Sequence, residues 1–169
     1  QWIERAPFFA LASCGPDGLD CSPRGDLHGQ LFRILDDRHI AIPDRRGNNR
    51  IDTLRNIVAD PRVALLFLIP GIEECLRING RALITTEPEL VQSFKVDVTV
   101  PRSVLRMEID AVYFQCARAL KRAKLWDPTA NVTKGDVPSA GQMTKAAKPG
   151  FDAETYDAGL PARQQSTLY

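Results

Sequence analysis

The sequence predicts a mainly β protein, a small antiparallel barrel with short helices. Three observations carry this: apolar runs of strand length, Gly/Pro/Asp turn signals between them, and one segment of helical spacing after the fourth run. Phe8-Phe9-Ala10-Leu11-Ala12-Ser13-Cys14 has strand composition, and Gly15-Pro16-Asp17-Gly18 returns the chain through Leu19 to Ser22 as a hairpin partner. A third strand, Gln30 to Leu35, meets a fourth, His39 to Ile42, through Asp36-Asp37-Arg38, so the barrel is expected to open as a meander.

Ile51, Leu54, Ile57 and Val58 then recur at helical spacing until Asp60-Pro61, where Pro disfavours a helical predecessor. Asn48 or Asn49 is the expected N-cap of this helix. Arg62 to Ile69 is a continuous apolar run, read as a buried strand, and it ends at a Pro70-Gly71 turn. Cys75 to Thr86 alternates apolar and polar residues like a half-exposed strand, and Glu87-Pro88-Glu89-Leu90 opens a short helix running to Phe94. From Ser103, Leu105, Met107, Ile109, Ala111 and Tyr113 alternate against Arg106, Glu108 and Asp110, which gives a long last strand. The period becomes helical from Ala117 to Leu125, and Trp126-Asp127-Pro128 stops it. The expected division is a barrel domain over residues 1–128 and a Pro-, Gly- and Gln-rich C-terminal extension over 129–169. That extension carries one weak helical stretch, Gly141 to Ala147, and must wrap the barrel or a partner, or stay mobile.

Composition limits the function classes. A chain of 169 residues with 44% hydrophobic content buries a real core as one domain. Twenty-two basic and twenty-one acidic residues leave a net charge of +1, so no global field favours nucleic acid or an anionic membrane, and any anion site must be local. The run Val63 to Ile69 is too short to span a bilayer. No secretory leader precedes Phe8, and the chain opens at Gln1 rather than Met, consistent with missing N-terminal residues; a cytoplasmic location is the default expectation. Cys14, Cys21, Cys75 and Cys116 lack metal-site spacing, and His28 and His39 stand alone, so no metal site is expected.

Two loops concentrate phosphate-binding chemistry. Cys21-Ser22-Pro23-Arg24-Gly25-Asp26 and Asp44-Arg45-Arg46-Gly47-Asn48-Asn49-Arg50 each offer guanidinium forks, with Ser or Asn as neutral donors and Gly permitting close backbone approach. The second loop leads into a helix, so free N–H groups and the positive end of the helix dipole point to the same place as Arg50.

Four ordered runs carry a resemblance: Cys21 to Asp26, Ala41 to Arg50, Asp60 to Gly71, and Leu76-Arg77-Ile78-Asn79-Gly80-Arg81-Ala82. They resemble the pyridoxamine 5'-phosphate oxidase-like FMN-binding split-barrel family, and within it a branch of FMN-dependent enzymes. The likeness covers residues 7–127, and Ser139 to Met143 extends it into the tail. It implies a six- to seven-stranded antiparallel split barrel, a homodimer, and FMN at sites built from both subunits. It also implies FMN phosphate contacts at Ser22, Arg24, Arg45, Asn48, Asn49 and Arg50, a strand end beside the isoalloxazine at Ile42 and Pro43, and a contribution from Trp126 of the second subunit. True pyridoxamine phosphate oxidases carry an Arg-x-His element near the C-terminus, and Arg163 to Tyr169 does not replace it, so vitamin B6 oxidase activity is not implied.

The implied function is an FMN-dependent oxidoreductase on an unidentified small molecule. The flavin itself carries the redox chemistry, so no Ser-His-Asp or Cys-His array is needed. A deazaflavin-dependent reductase, a non-catalytic flavin- or haem-binding protein, and a dimeric β-barrel interaction module remain the alternatives at this point. Arg77 and Arg81 lie on the polar face of their strand and are expected to be solvated or paired at a dimer contact; His28 lies in a Gly-flanked loop.

Overall fold

The computed structural model describes residues 1–47 and 50–169. The chain divides into two compact units, Gln1–Trp126 and Asp127–Tyr169. The first contains β1 (Phe8–Gly15), β2 (Gly18–Gly25), β3 (Arg33–Ile34), β4 (His39–Pro43), α1 (Asp52–Ala59), β5 (Arg62–Ile69), β6 (Ile72–Thr85), α2 (Pro88–Ser93), β7 (Val104–Gln115) and α3 (Arg118–Ala123).

All seven strands join one antiparallel sheet in the order β2-β1-β5-β6-β7-β4-β3. The first four strands therefore do not form the expected meander. They form two hairpins, β1–β2 and β3–β4, separated in the sheet because β4 pairs with β7, His39 opposite Glu108 through Pro43 opposite Val104. Nonlocal pairing of this kind leaves no trace in turn composition. The third strand is also shorter than the expected Gln30 to Leu35, and the second is longer, taking in Pro23, Arg24 and Gly25.

Alternation in β1 turns Phe9, Leu11 and Ser13 inward. Phe9 stands opposite Phe67 of β5, with ring centroids 4.9 Å apart, and Phe32 meets the edge of Phe67 at 5.6 Å. Full burial of one such side chain contributes about 2–3 kcal/mol. Ile78, Leu105 and Met107 complete this core, while Ala41, Phe94 and Val104 form a smaller cluster under Leu90 and Val91 of α2.

Two glycines set close approaches. A Cβ at Gly15 would lie 2.1 Å from Asn56 Oδ1, so the bare backbone lets α1 settle on β1, where Asn56 Nδ2 donates to the buried Ser13 Oγ at 3.1 Å. Ile57 and Leu54 of α1 then reach the main core. At Gly80 a Cβ would lie 2.0 Å from the Glu108 carbonyl oxygen, where the β6–β7 register shifts between Asn79 and Gly80.

The second unit is more ordered than its composition suggests. It holds α4 (Ala140–Ala147) and α5 (Ala153–Ser166). Ser139 caps α4 in a reciprocal box with Gln142, and Asp152 caps α5 through the Thr155 N–H. Asp157 of α5 accepts from the Gly141 N–H at 2.8 Å and from the Ser139 hydroxyl, joining the two helices.

Gly80→Ala is expected to destabilise the first unit by about 1–3 kcal/mol through backbone overpacking. Chemical denaturation measures this, and an unchanged midpoint would mean that β6 and β7 do not approach as described.

Candidate functional site

The sheet order separates β2 from β4, yet side chains at their ends touch. Arg45 Nε donates to Asp26 Oδ2 at 2.8 Å, and Arg24 Nη1 lies 3.7 Å from Asp44 Oδ1. The sheet therefore curls until its two ends meet, and at this split the described residues are joined by Arg–Asp pairs rather than by strand pairing. The split is where the end of β2, with Arg24 and Asp26, meets Asp44 and Arg45 after β4.

The two pairs differ in kind. Asp26 is 2% exposed at its side chain and Arg45 15%. Arg45 also donates through Nη1 to the Phe94 carbonyl at 2.7 Å and through Nη2 to the Gln30 carbonyl at 3.4 Å. Its fork is committed to the protein and acts as a clasp. Beside it, Arg33 stacks 4.6 Å from the Phe94 ring centroid and donates to the Ser93 carbonyl at 2.8 Å.

Arg24 is different. The alternation of β2 puts Asp20, Ser22 and Arg24 on its less exposed face. Arg24 is 19% exposed at its side chain, and its Nε is buried with no hydrogen-bond partner among the described residues. The Asp44 contact at 3.7 Å is an ion pair beyond hydrogen-bond range. A buried donor left unmet costs about 1–3 kcal/mol, so among the described residues Arg24 is the arginine of the split whose hydrogen bonding is incomplete.

Ser22, two residues along the same face and about 7 Å from Arg24 by strand geometry, contacts the first turn of α1. Its Oγ lies 3.2 Å from Thr53 Oγ1, and Thr53 donates to Asp20 Oδ2 at 2.9 Å. Thr53 spends its one proton on Asp20, so the Ser22 hydroxyl donates to Thr53. Ser22 and the positive end of α1 thus lie together. The helix starts at Asp52 with Ile51 in the cap position and no side-chain cap, which corrects the expectation of an Asn N-cap. Asn48 and Asn49 themselves fall outside the described residues.

Arg50 lies beyond the buried part of the site. Its side chain is 75% exposed, and Nε donates to Asp52 Oδ2 at 2.8 Å. It borders a cleft of about 500 Å³ between α1 and the β1–β2 turn, together with Asp17, Asp20, Asp52, Arg55 and Asn56. Ile42 is buried, and Ile42 and Pro43 pair with Leu105 and Val104, so they offer a strand end rather than side-chain chemistry. Trp126 donates its indole N–H to the Ile72 carbonyl at 2.8 Å within its own chain, leaving only its ring for another role.

The residue types missed by composition are the acids. Asp26 and Asp44 stand against Arg45 and Arg24, and Asp20 stands against Thr53 beside Ser22. Alternation through Asp20, Ser22, Arg24 and Asp26 could have found two of them, whereas Asp44 has no local signal. Burial pushes the Asp44 carboxyl above its ordinary range, and the Arg24 charge only partly opposes that. Among the described residues, no group of three or more His, Cys, Asp or Glu is placed to hold a metal ion, and no helix is long and apolar enough to cross a membrane.

A seven-stranded antiparallel sheet curled around a polar split defines the split-barrel class. The pyridoxamine 5'-phosphate oxidase family model matches residues 1–116, and the chain belongs to that family. Similar solved structures include a variant of HupZ from Group A Streptococcus (TM-score 0.54, 17% identity, covering 66% of this chain and 92% of that one). They also include general stress protein 26 from Bacillus anthracis (TM-score 0.51, 15% identity, 67% and 87%). A third is a Clostridium acetobutylicum protein related to general stress protein 26, of the pyridoxinephosphate oxidase family (TM-score 0.51, 10% identity, 66% and 81%). At these identities the likeness is one of fold. No curated protein matches the chain.

Replacing Arg45 by Met removes the cation paired with the buried Asp26 carboxylate and is expected to cost about 3–5 kcal/mol. The same change at the exposed Arg50 is expected to cost under about 1 kcal/mol. Urea denaturation compares them, and equal losses would refute the division into clasp and rim.

Proposed function

We propose that the chain is an FMN-binding flavoprotein in which Arg24, Ser22 and the first turn of α1 hold the flavin phosphate, with Arg50 at the rim. The observation that carries this reading is the buried Arg24 Nε, which has no hydrogen-bond partner among the described residues. Membership of a family whose members generally bind FMN supports the ligand, and the position of Ser22 against the first turn of α1 supports the site.

In this reading each residue has a task. Arg24 supplies charge-assisted hydrogen bonds, each worth about 1.5–3 kcal/mol when shielded from water. Ser22 turns its hydroxyl proton from Thr53 to the phosphate, and Thr53 keeps its own bond to Asp20. The N–H groups of the first α1 turn add dipole stabilisation, typically 0.3–1 kcal/mol, roughly. Arg45 stays bound to Asp26 and holds the split closed, so that Arg24 and the strand end at Ile42 and Pro43 keep their spacing. Asn48 and Asn49 are proposed as further phosphate donors on the family resemblance alone, and Trp126 as a ring contact. The bound flavin supplies the redox chemistry, and the reading extends to an oxidoreductase acting on a small molecule.

A homodimer with the cofactor at the subunit interface belongs to the same proposal. Val112 and Phe114 extend the inward face of β7 past the core, opposite Ile78 and Leu76, yet are 54% and 70% exposed. With Tyr113 they give an apolar strand end that a twofold partner would cover.

Arg24→Ala is expected to weaken FMN binding at least tenfold, about 1.4 kcal/mol. Flavin absorbance of the purified protein and fluorescence titration with FMN measure this. Unchanged flavin content in the variant would remove the phosphate assignment.

A further inference from the structure

Asp44 is an unusual neighbour for an anion site. Its carboxylate faces the same guanidinium that the phosphate would use, at 3.7 Å. It has little freedom to retreat: its N–H donates to the Ser103 carbonyl at 3.0 Å, and Pro43 before it is paired with Val104. The charged groups around it come from few elements. Arg24 reaches it from β2, Arg45 follows it in sequence but gives its Nε to Asp26, and the segment leading into β7 meets it through the Ser103 backbone.

A phosphate dianion seated on Arg24 would place like charges on one guanidinium. In such sites one group gives up its ionisation. Asp44 is already inclined that way, because burial disfavours its charged form. On the flavin reading above, we infer that Asp44 is the resident counter-anion of Arg24: it steadies the guanidinium in the empty site and takes up one proton from solvent when a phosphate monoester binds.

The direction of the pH dependence follows. The ligand raises the affinity of Asp44 for its proton, so the complex holds more protons than the free protein. Phosphate affinity therefore rises as pH falls through the bound-state pKa of Asp44, and it gains nothing further below the free-state pKa. Asp44 in this role is a selectivity residue: it penalises phosphate monoesters relative to uncharged flavins at high pH.

The test is calorimetric titration of flavin-free protein with FMN and with riboflavin, above about pH 7 where the monoester is a dianion. It uses two buffers of different ionisation enthalpy, with wild type, Asp44→Asn and Arg24→Gln. The expected results are proton uptake by wild type with FMN but not riboflavin, and none in Asp44→Asn. Asp44→Asn is also expected to bind FMN at least fivefold more tightly while its riboflavin affinity stays constant. Arg24→Gln is expected to lose the preference for FMN over riboflavin. If Arg24→Gln loses that preference while Asp44→Asn binds FMN no more tightly, the counter-anion role falls and the flavin reading stands. If Arg24→Gln binds FMN like wild type, the flavin reading falls and the inference with it. Should Asp44→Asn not fold, the wild-type buffer dependence decides alone, and no proton uptake overturns the inference.

Discussion

The first unit depends on how its sheet closes. β2 and β3 are the outer strands of a seven-stranded sheet and do not pair with each other, so closure falls to side chains at the ends of β2 and β4. The buried Asp26–Arg45 pair, backed by the Phe94 and Gln30 carbonyls, is the firm part of that closure. A buried ion pair is no guarantee of net stability, because desolvation offsets much of its attraction. Its effect here is geometric: it fixes which strand ends meet. The neighbouring Arg24–Asp44 pair is looser and leaves Arg24 Nε without a hydrogen-bond partner among the described residues. One Arg–Asp pair at the split is hydrogen-bonded, and the other is held by charge alone.

The core serves this arrangement by holding the elements that flank the split. Phe9, Phe67 and Phe32 lock β1 to β5 and to the segment before β3. Ile57 and Leu54 sink α1 into the same core, and Asn56 over Gly15 and Ser13 fixes its position along β1. Thr53 is thereby presented to Ser22 and Asp20. On the proposed reading, a phosphate site built this way would be organised before the ligand arrives, which would limit the ordering entropy that binding otherwise costs.

Much of the barrel was legible in the sequence. The strands around Phe8 to Cys14, Arg62 to Ile69 and Leu105 to Tyr113 follow from apolar runs and alternation, and α1 and α2 follow from helical spacing and Pro placement. The order of the strands was not legible, because the β4–β7 ladder joins residues far apart in sequence and turn signals report only local pairing. α5 was missed as well. Its apolar residues do not recur on one face, and Pro161 lies within it, so neither periodicity nor propensity marks it. The site was half legible. Composition grouped Arg24, Arg45 and Arg50 as equals, and their surroundings separate them into a half-buried residue with a loose ion pair, a hydrogen-bonded clasp and an exposed residue. Of the carboxylates that set those roles, Asp26 continues the alternation of β2 beyond Arg24, whereas Asp44 is visible only once the split has brought its two sides together.

The central claim is that the Arg24 guanidinium is the phosphate-binding element of this barrel. Nitrogen NMR of the arginine Nε–H groups tests it most directly, with FMN and riboflavin added in turn. The account predicts that FMN shifts the Arg24 Nε–H resonance and slows its exchange with water, while riboflavin leaves it in place and Arg45 is unmoved by either. An Arg24 resonance that ignores FMN while the protein binds it would contradict the account.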